Sequence, residues 1–160
     1  MNKIIHAGAQ LAFIRRQYPQ IAFCTGCFDM LHPGHLSFLE KCALPGHALV
    51  VCVGNDETVK ALKGAGRPIY RAEDRARMLA GLEIVNHVTI CETNGALGHA
   101  MIMQQLRPDA YIVPADDPLL KEKRKLALMY GGHLVVEDSR PYPHPHSTTG
   151  IVEKIEAGVL

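Results

Sequence analysis

Apolar residues follow two rhythms along this chain. Residues 21–24, 47–53, 110–113 and 133–136 form short, largely apolar runs, the pattern of strands buried on both faces, and the more mixed stretch 85–91 reads as a further strand. Between them apolar positions recur at helical spacing. Leu36, Leu39 and Cys42 follow Pro33, and similar stretches occupy 56–62, 72–82, 96–106 and 119–130. Pro45-Gly46 and Gly131-Gly132 supply stops. Ile4, Leu11, Ile14 and Tyr18 also stand at helical spacing, with Pro19 behind them, so a leading helix is predicted within 1–19. Strands alternating with helices predict an α/β fold: a doubly wound sheet of five parallel strands in a single domain spanning 1–160, with its core at 20–138. The tail, 139–160, opens with Pro141, Pro143 and Pro145 and runs through Ser147-Thr148-Thr149 into a capped terminal helix. Such sheets bind ligands at the carboxyl ends of strands where the strand order reverses, which directs attention to the exit of the first strand at Gly26.

Composition narrows the partners. With 48% apolar and 21% charged residues in 160, the chain has the make-up of a globular domain. Its 17 Lys and Arg nearly cancel 16 Asp and Glu, so no overall field attracts nucleic acid or anionic lipid. The five cysteines, an odd number set mostly in apolar runs, read as free thiols in a reducing compartment. No apolar stretch reaches the roughly 18 to 20 residues of a membrane span, and no signal-peptide block leads the chain. The expectation is a cytoplasmic protein that meets neither membrane nor nucleic acid.

The chemistry sits after the first strand, where the chain reads Thr25-Gly26-Cys27-Phe28-Asp29-Met30-Leu31-His32-Pro33-Gly34-His35. Neither the dinucleotide fingerprint nor the P-loop is present. His32 and His35 are three residues apart at the opening of a helix, so both imidazoles can face one ligand. The positive end of that helix favours an anion, and Gly34 lets a phosphate approach the backbone. Two imidazoles without further ligands at regular spacing suit a transferring phosphoryl group better than a metal, and no protein-held metal is expected. Residues 60–77 add six basic side chains against two acidic ones, a local attraction for a triphosphate. The hydroxyls and N–H groups of Ser147, Thr148 and Thr149 suit either capping or phosphate binding. Cys24-x-x-Cys27 has redox spacing but falls inside a strand. His144-x-His146 reads as a rigid loop edge, and Lys121, Lys123, Arg124 and Lys125 as a solvated helix face.

The run Thr25 to His35 resembles the HxGH motif of the nucleotidyltransferases, in the cytidylyltransferase-like branch, a family with a Rossmann-like fold. Asn55-Asp56, Lys63-Gly64, Arg67-Pro68, Arg75, Arg107-Pro108-Asp109 and Ser147-Thr148-Thr149 are similar to the adenylyltransferase domain of heptose 1-phosphate enzymes. Glycerol 3-phosphate cytidylyltransferase and archaeal FAD synthetase are similar over the same parts. The resemblance implies that His32 and His35 are catalytic. It implies nucleotide binding by Thr25, Gly26, Cys27, Phe28, Gly34, Arg75, Ser147, Thr148 and Thr149, with Asp29, Lys41, Lys63, Arg67 and Asp116 as substrate contacts. A nucleoside triphosphate, Mg²⁺ accompanying it, a phosphorylated acceptor and a homodimer belong to the same expectation. Where the heptose branch carries K-G-G-D-Y, this chain has Pro114-Ala115-Asp116-Asp117-Pro118. The acceptor thus stays open between a heptose-type sugar 1-phosphate with ATP and a glycerol, polyol or amino-alcohol phosphate with CTP. A nucleotide-binding module without catalysis and a cysteine-based redox protein are the readings from other classes.

Overall fold

In the computed structural model, which describes residues 3–138 and 148–159, each apolar run becomes a strand. They are β1 (Ile21–Gly26), β2 (Ala48–Val53), β3 (His87–Ile90), β4 (Ala110–Pro114) and β5 (His133–Glu137). All pairings are parallel, and the sheet order is β3-β2-β1-β4-β5. The chain therefore builds outward from β1 in one direction, then crosses back to lay β4 on its other side. The seam between β1 and β4 is the switch point. Seven helices make the connections and the end of the described chain: α1 (Ala9–Gln17), α2 (Pro33–Cys42), α3 (Asp56–Lys63), α4 (Ala72–Ala80), α5 (Ala100–Leu106), α6 (Leu120–Met129) and α7 (Thr148–Glu156).

Alternation along the strands divides the interior into two cores. Ile21 and Phe23 of β1 face Leu11, Ile14, Ile102, Met103 and Leu106 of α1 and α5. Their neighbours Ala22 and Cys24 face Leu39 and Cys42 of α2 with Ala76 and Leu79 of α4. Both faces are thus covered, as continuous apolar strands require. All five cysteines are free thiols. Among the described residues no helix is long and apolar enough to cross a membrane.

Two expected helices are shorter than their apolar spacing predicts. The leading helix spans only Ala9–Gln17. Before it, Ile4 forms a parallel bridge with Val88, and the Ile5 N–H donates to the Val88 carbonyl at 2.9 Å. The exposed ladder groups of the edge strand β3 capture this segment, and Gly8 at φ 93° turns the chain into α1. Likewise 96–99 form a turn, with the Thr93 hydroxyl donating to the Gly98 carbonyl at 2.7 Å, and α5 begins at Ala100. Pro141, His144, Pro143, Pro145, His146 and Ser147 lie outside the described residues.

Arg75, expected on the nucleotide, is instead a staple inside the fold. It is fully buried, and all its nitrogens are engaged by the protein. Nε donates to the Tyr70 carbonyl at 2.9 Å, one terminal nitrogen to the Cys27 carbonyl at 2.5 Å, and the other to the Gly54 carbonyl at 2.8 Å and Asp56 Oδ1 at 2.7 Å. The guanidinium joins the exits of β1 and β2 to α3 and to the approach to α4. Four of its five N–H groups are thus spent on the protein. Arg75→Met would strand three carbonyls and a carboxylate, at a cost of about 3–5 kcal/mol. Its melting temperature, followed by circular dichroism, is expected to fall by roughly 10 °C; a nucleotide-contacting arginine would leave that temperature unchanged.

Candidate active site

At Gly26 the central strand ends and the chain enters a tight turn that delivers α2. Phe28 (φ 50°) and Met30 (φ 57°) both adopt left-handed backbone, a conformation costing non-glycine residues about 1–3 kcal/mol each. Asp29, between them and 2% exposed, holds the turn. Its carboxylate accepts the Ile69 N–H at 3.0 Å and the Tyr70 N–H at 3.1 Å, and pairs with Arg67 Nε at 2.9 Å. Its carbonyl accepts the Thr148 hydroxyl at 2.6 Å, which seats the start of α7 against the turn. Gly26 is required by the same folding back, because a Cβ there would lie 2.8 Å from the Phe28 ring. That ring packs on His35 with centroids 5.4 Å apart. His32 is the N-cap of α2 and His35 stands in its first turn, so their rings stack at 3.7 Å and 27°.

Three adjoining cavities open along this edge, and Cys27 borders all of them. One of about 280 Å³ brings together His32, His35, Lys63, Arg67 and Thr148. A slot of about 210 Å³ lies between Thr25, Gly26, Phe28, His35, Phe38 and Pro114. The third, about 380 Å³, sits over the β1–β4 seam between Lys63, His99, Asp117 and Lys123. Gly34 is the second residue of α2, and Thr149 is exposed one residue into α7.

Several expected contacts are placed elsewhere. Asp29 does line the histidine cavity, but as a buried clamp paired to Arg67 on the same wall. Lys41, in the last turn of α2, donates to the Asp138 carbonyl at 2.6 Å, at the opposite end of the helix from the histidines. Asp116 is exposed and does not line these three cavities; its neighbour Asp117 lines the one over the β1–β4 seam instead. The Thr25 hydroxyl is engaged by that of Tyr111 at 3.1 Å, and Tyr111 bonds His99 Nε2 at 2.8 Å. Cys24 is buried in the same core cluster as Cys42.

Lys123 departs furthest from expectation. It is 7% exposed and pairs with Asp117 Oδ2 at 2.5 Å. Leu120, Lys123 and Ala127 are spaced i, i+3, i+7 and share the inward stripe of α6, a signal that charge clustering hides. The Thr25–Tyr111–His99 chain had no comparable sequence signal, since its members come from three separate elements.

The residues present offer no cage for Mg²⁺, a cation that takes oxygen ligands. Among the described residues no three His, Cys, Asp or Glu converge on a metal position, and the carboxylate beside the histidines, Asp29, is already committed to Arg67 and two N–H groups.

The Cytidylyltransferase-like family profile matches residues 23–154. A bifunctional protein HldE of Magnetococcus marinus is 36% identical over 156 residues, covering 95% of this chain and 30% of the relative. A second HldE, from Helicobacter pylori, is 35% identical over 154 residues, covering 96% and 31%. The chain thus spans about three tenths of the length of these curated relatives. The lipopolysaccharide core biosynthesis protein of Thermoplasma volcanium superposes with a TM-score of 0.62 at 24% identity, over 77% of this chain and 98% of that one. Pantoate-beta-alanine ligase of Francisella tularensis gives 0.66 at 14%, over 99% and 77%. These two likenesses show a shared fold.

Burial, then the neighbouring His32 and Lys63, lowers the His35 pKa to about 4. Burial followed by Lys123 lowers that of His99 to about 4 as well. Both rings are therefore neutral at pH 7. In the unfolded chain each titrates near 6.5, so between pH 6.5 and 4 the unfolded state binds more protons and folding stability drops as pH falls. Thermal unfolding at pH 7.5 and pH 5.0 is expected to show a lower melting temperature at pH 5.0, with a smaller drop in His99→Gln.

Proposed function

The chain belongs to the cytidylyltransferase-like family of nucleotidyltransferases, and on that footing we propose that it transfers adenylate from ATP to a heptose-type sugar 1-phosphate, with release of pyrophosphate. The observation that carries this reading is the stacked His32–His35 pair facing a cavity with Lys63, Arg67 and Thr148 at the switch point of the sheet. The resemblance to the heptose 1-phosphate enzymes supplies the acceptor.

An oxygen of the acceptor phosphate attacks the α-phosphorus, a new P–O bond forms, the bond to the β-phosphate breaks, and pyrophosphate leaves in line. A phosphate monoester is ionised at neutral pH, so the protein supplies position and charge stabilisation rather than a strong base. Imidazole N–H groups of His32 and His35 donate to α-phosphate oxygens as charge builds there. His35 Nδ1 is buried with no hydrogen-bond partner among the described residues, a deficit that a ligand oxygen would relieve. Lys63 and the first turn of α7, with Thr148, Thr149 and the N–H groups there, receive the remaining phosphates. The slot at Thr25, Gly26, Cys27 and Phe28 takes the nucleoside. Mg²⁺, if bound to the triphosphate, would supply charge neutralisation that these residues do not depend on holding.

His35→Ala is expected to lower pyrophosphate release by about 10² to 10³ while the far-ultraviolet circular dichroism stays unchanged; a rate within about tenfold of wild type would remove the mechanism. A grid of four nucleoside triphosphates against sugar 1-phosphates, glycerol 3-phosphate, phosphoethanolamine and flavin mononucleotide, read by pyrophosphate release, tests base and acceptor together. The expected signal is ATP with a heptose 1-phosphate. CTP with glycerol 3-phosphate would reassign both substrates, and calorimetric nucleotide binding with no turnover on any acceptor would favour a binding module.

A further inference from the structure

The cavity over the β1–β4 seam carries an ion pair that the phosphoryl chemistry does not use. Asp117 and Lys123 are half-buried and buried respectively, and together they form part of its wall over the β1–β4 seam. Asp117 Oδ1 accepts the Leu119 N–H at 2.8 Å and Oδ2 accepts Lys123 at 2.5 Å. A carboxylate has about four acceptor positions and an ammonium three donors, so both groups retain capacity after pairing. Desolvating such a pair costs about as much as its attraction returns, which makes it weak as a stabilising device and better explained by recognition.

Resting on the nucleotidyl-transfer reading, we propose that Asp117 and Lys123 read the hydroxyl groups of the acceptor and thereby restrict it to polyhydroxylated phosphates. Alcohols both donate and accept, which matches a neutral pair presenting spare acceptors and spare donors side by side. A cationic amino-alcohol tail would meet an ammonium already beside Asp117, the one carboxylate among the described lining residues, and a second phosphate would meet Asp117 itself. A flavin or a second base would find no Phe, Tyr or Trp among the described lining residues to stack on, within about 380 Å³. Lys63 borders both this cavity and the one with the histidines, so the acceptor phosphate has a cation at the junction while its polyol end extends toward Asp117. His99, held by Tyr111 at 2.8 Å, forms a fixed part of the same wall.

The test uses the whole chain with ATP and two acceptors, a heptose 1-phosphate and the hexose 1-phosphate that lacks one hydroxymethylene unit. Asp117→Asn and Lys123→Met are measured for acceptor KM, kcat and ATP affinity by calorimetry. The expected result is an acceptor KM raised by about tenfold or more, kcat and ATP affinity within about threefold, and a heptose-over-hexose preference that falls toward one. A purely structural role would instead lower the melting temperature and leave the preference intact. The double variant Asp117→Asn/Lys123→Met leaves no isolated buried charge and gives the same readout if a single variant does not fold. Unchanged KM with the preference retained would overturn the proposal, as would wild-type preference for phosphoethanolamine over sugar phosphates. Absence of pyrophosphate release with every acceptor would be a different result, the failure of the nucleotidyl-transfer reading itself.

Discussion

Two buried charges hold the turn between β1 and α2, and the rest of the site depends on it. Asp29 and Arg75 are 2% and 0% exposed, and an isolated charge so placed would be prohibitively expensive. Neither is isolated. Asp29 takes two main-chain N–H groups and Arg67, and Arg75 satisfies three carbonyls and Asp56. Their partners are the very segments that must stay fixed: the exits of β1 and β2, the stretch before α4, and, through the Asp29 carbonyl, the start of α7. This bonding offsets the left-handed backbone at Phe28 and Met30, and the imidazoles stack as a consequence.

The parallel sheet supplies the other half of the arrangement. Because β4 returns to the free side of β1, the strand exits diverge there and leave space that no crossover helix fills. Thr25 from β1 and His99 from the turn before α5 line that space, and the buried Tyr111 of β4 joins them from beneath. Tyr111 is fully buried, and its hydroxyl is satisfied from both sides, so the seam is rigid beneath the cavity. The cavity at the histidines and the cavity over the seam have separate walls, joined at Cys27 and Lys63.

Much of this was legible in the residues alone. Apolar runs and helical spacing carry their periods locally, so the five strands, their parallel alternation and most helix positions follow from the chain itself. His32-Pro33-Gly34-His35 was equally legible, since a histidine pair three residues apart at a helix start places itself without distant help. Charged side chains were read less well. Arg75 was expected on a phosphate and Lys123 in solvent, because a charge in a sequence is by default a solvated one. Their true surroundings come from Cys27, 48 positions away from Arg75, and from Asp117 under the first turn of α6.

Periodicity and nearest-neighbour chemistry thus determined the α/β class, the site's address at the end of β1 and the imidazole pair. Tertiary structure alone decided which charges are spent on the protein and which remain for ligands. A buried ion is stable only beside its partner, and the partners here are brought together by strand order rather than by proximity along the chain.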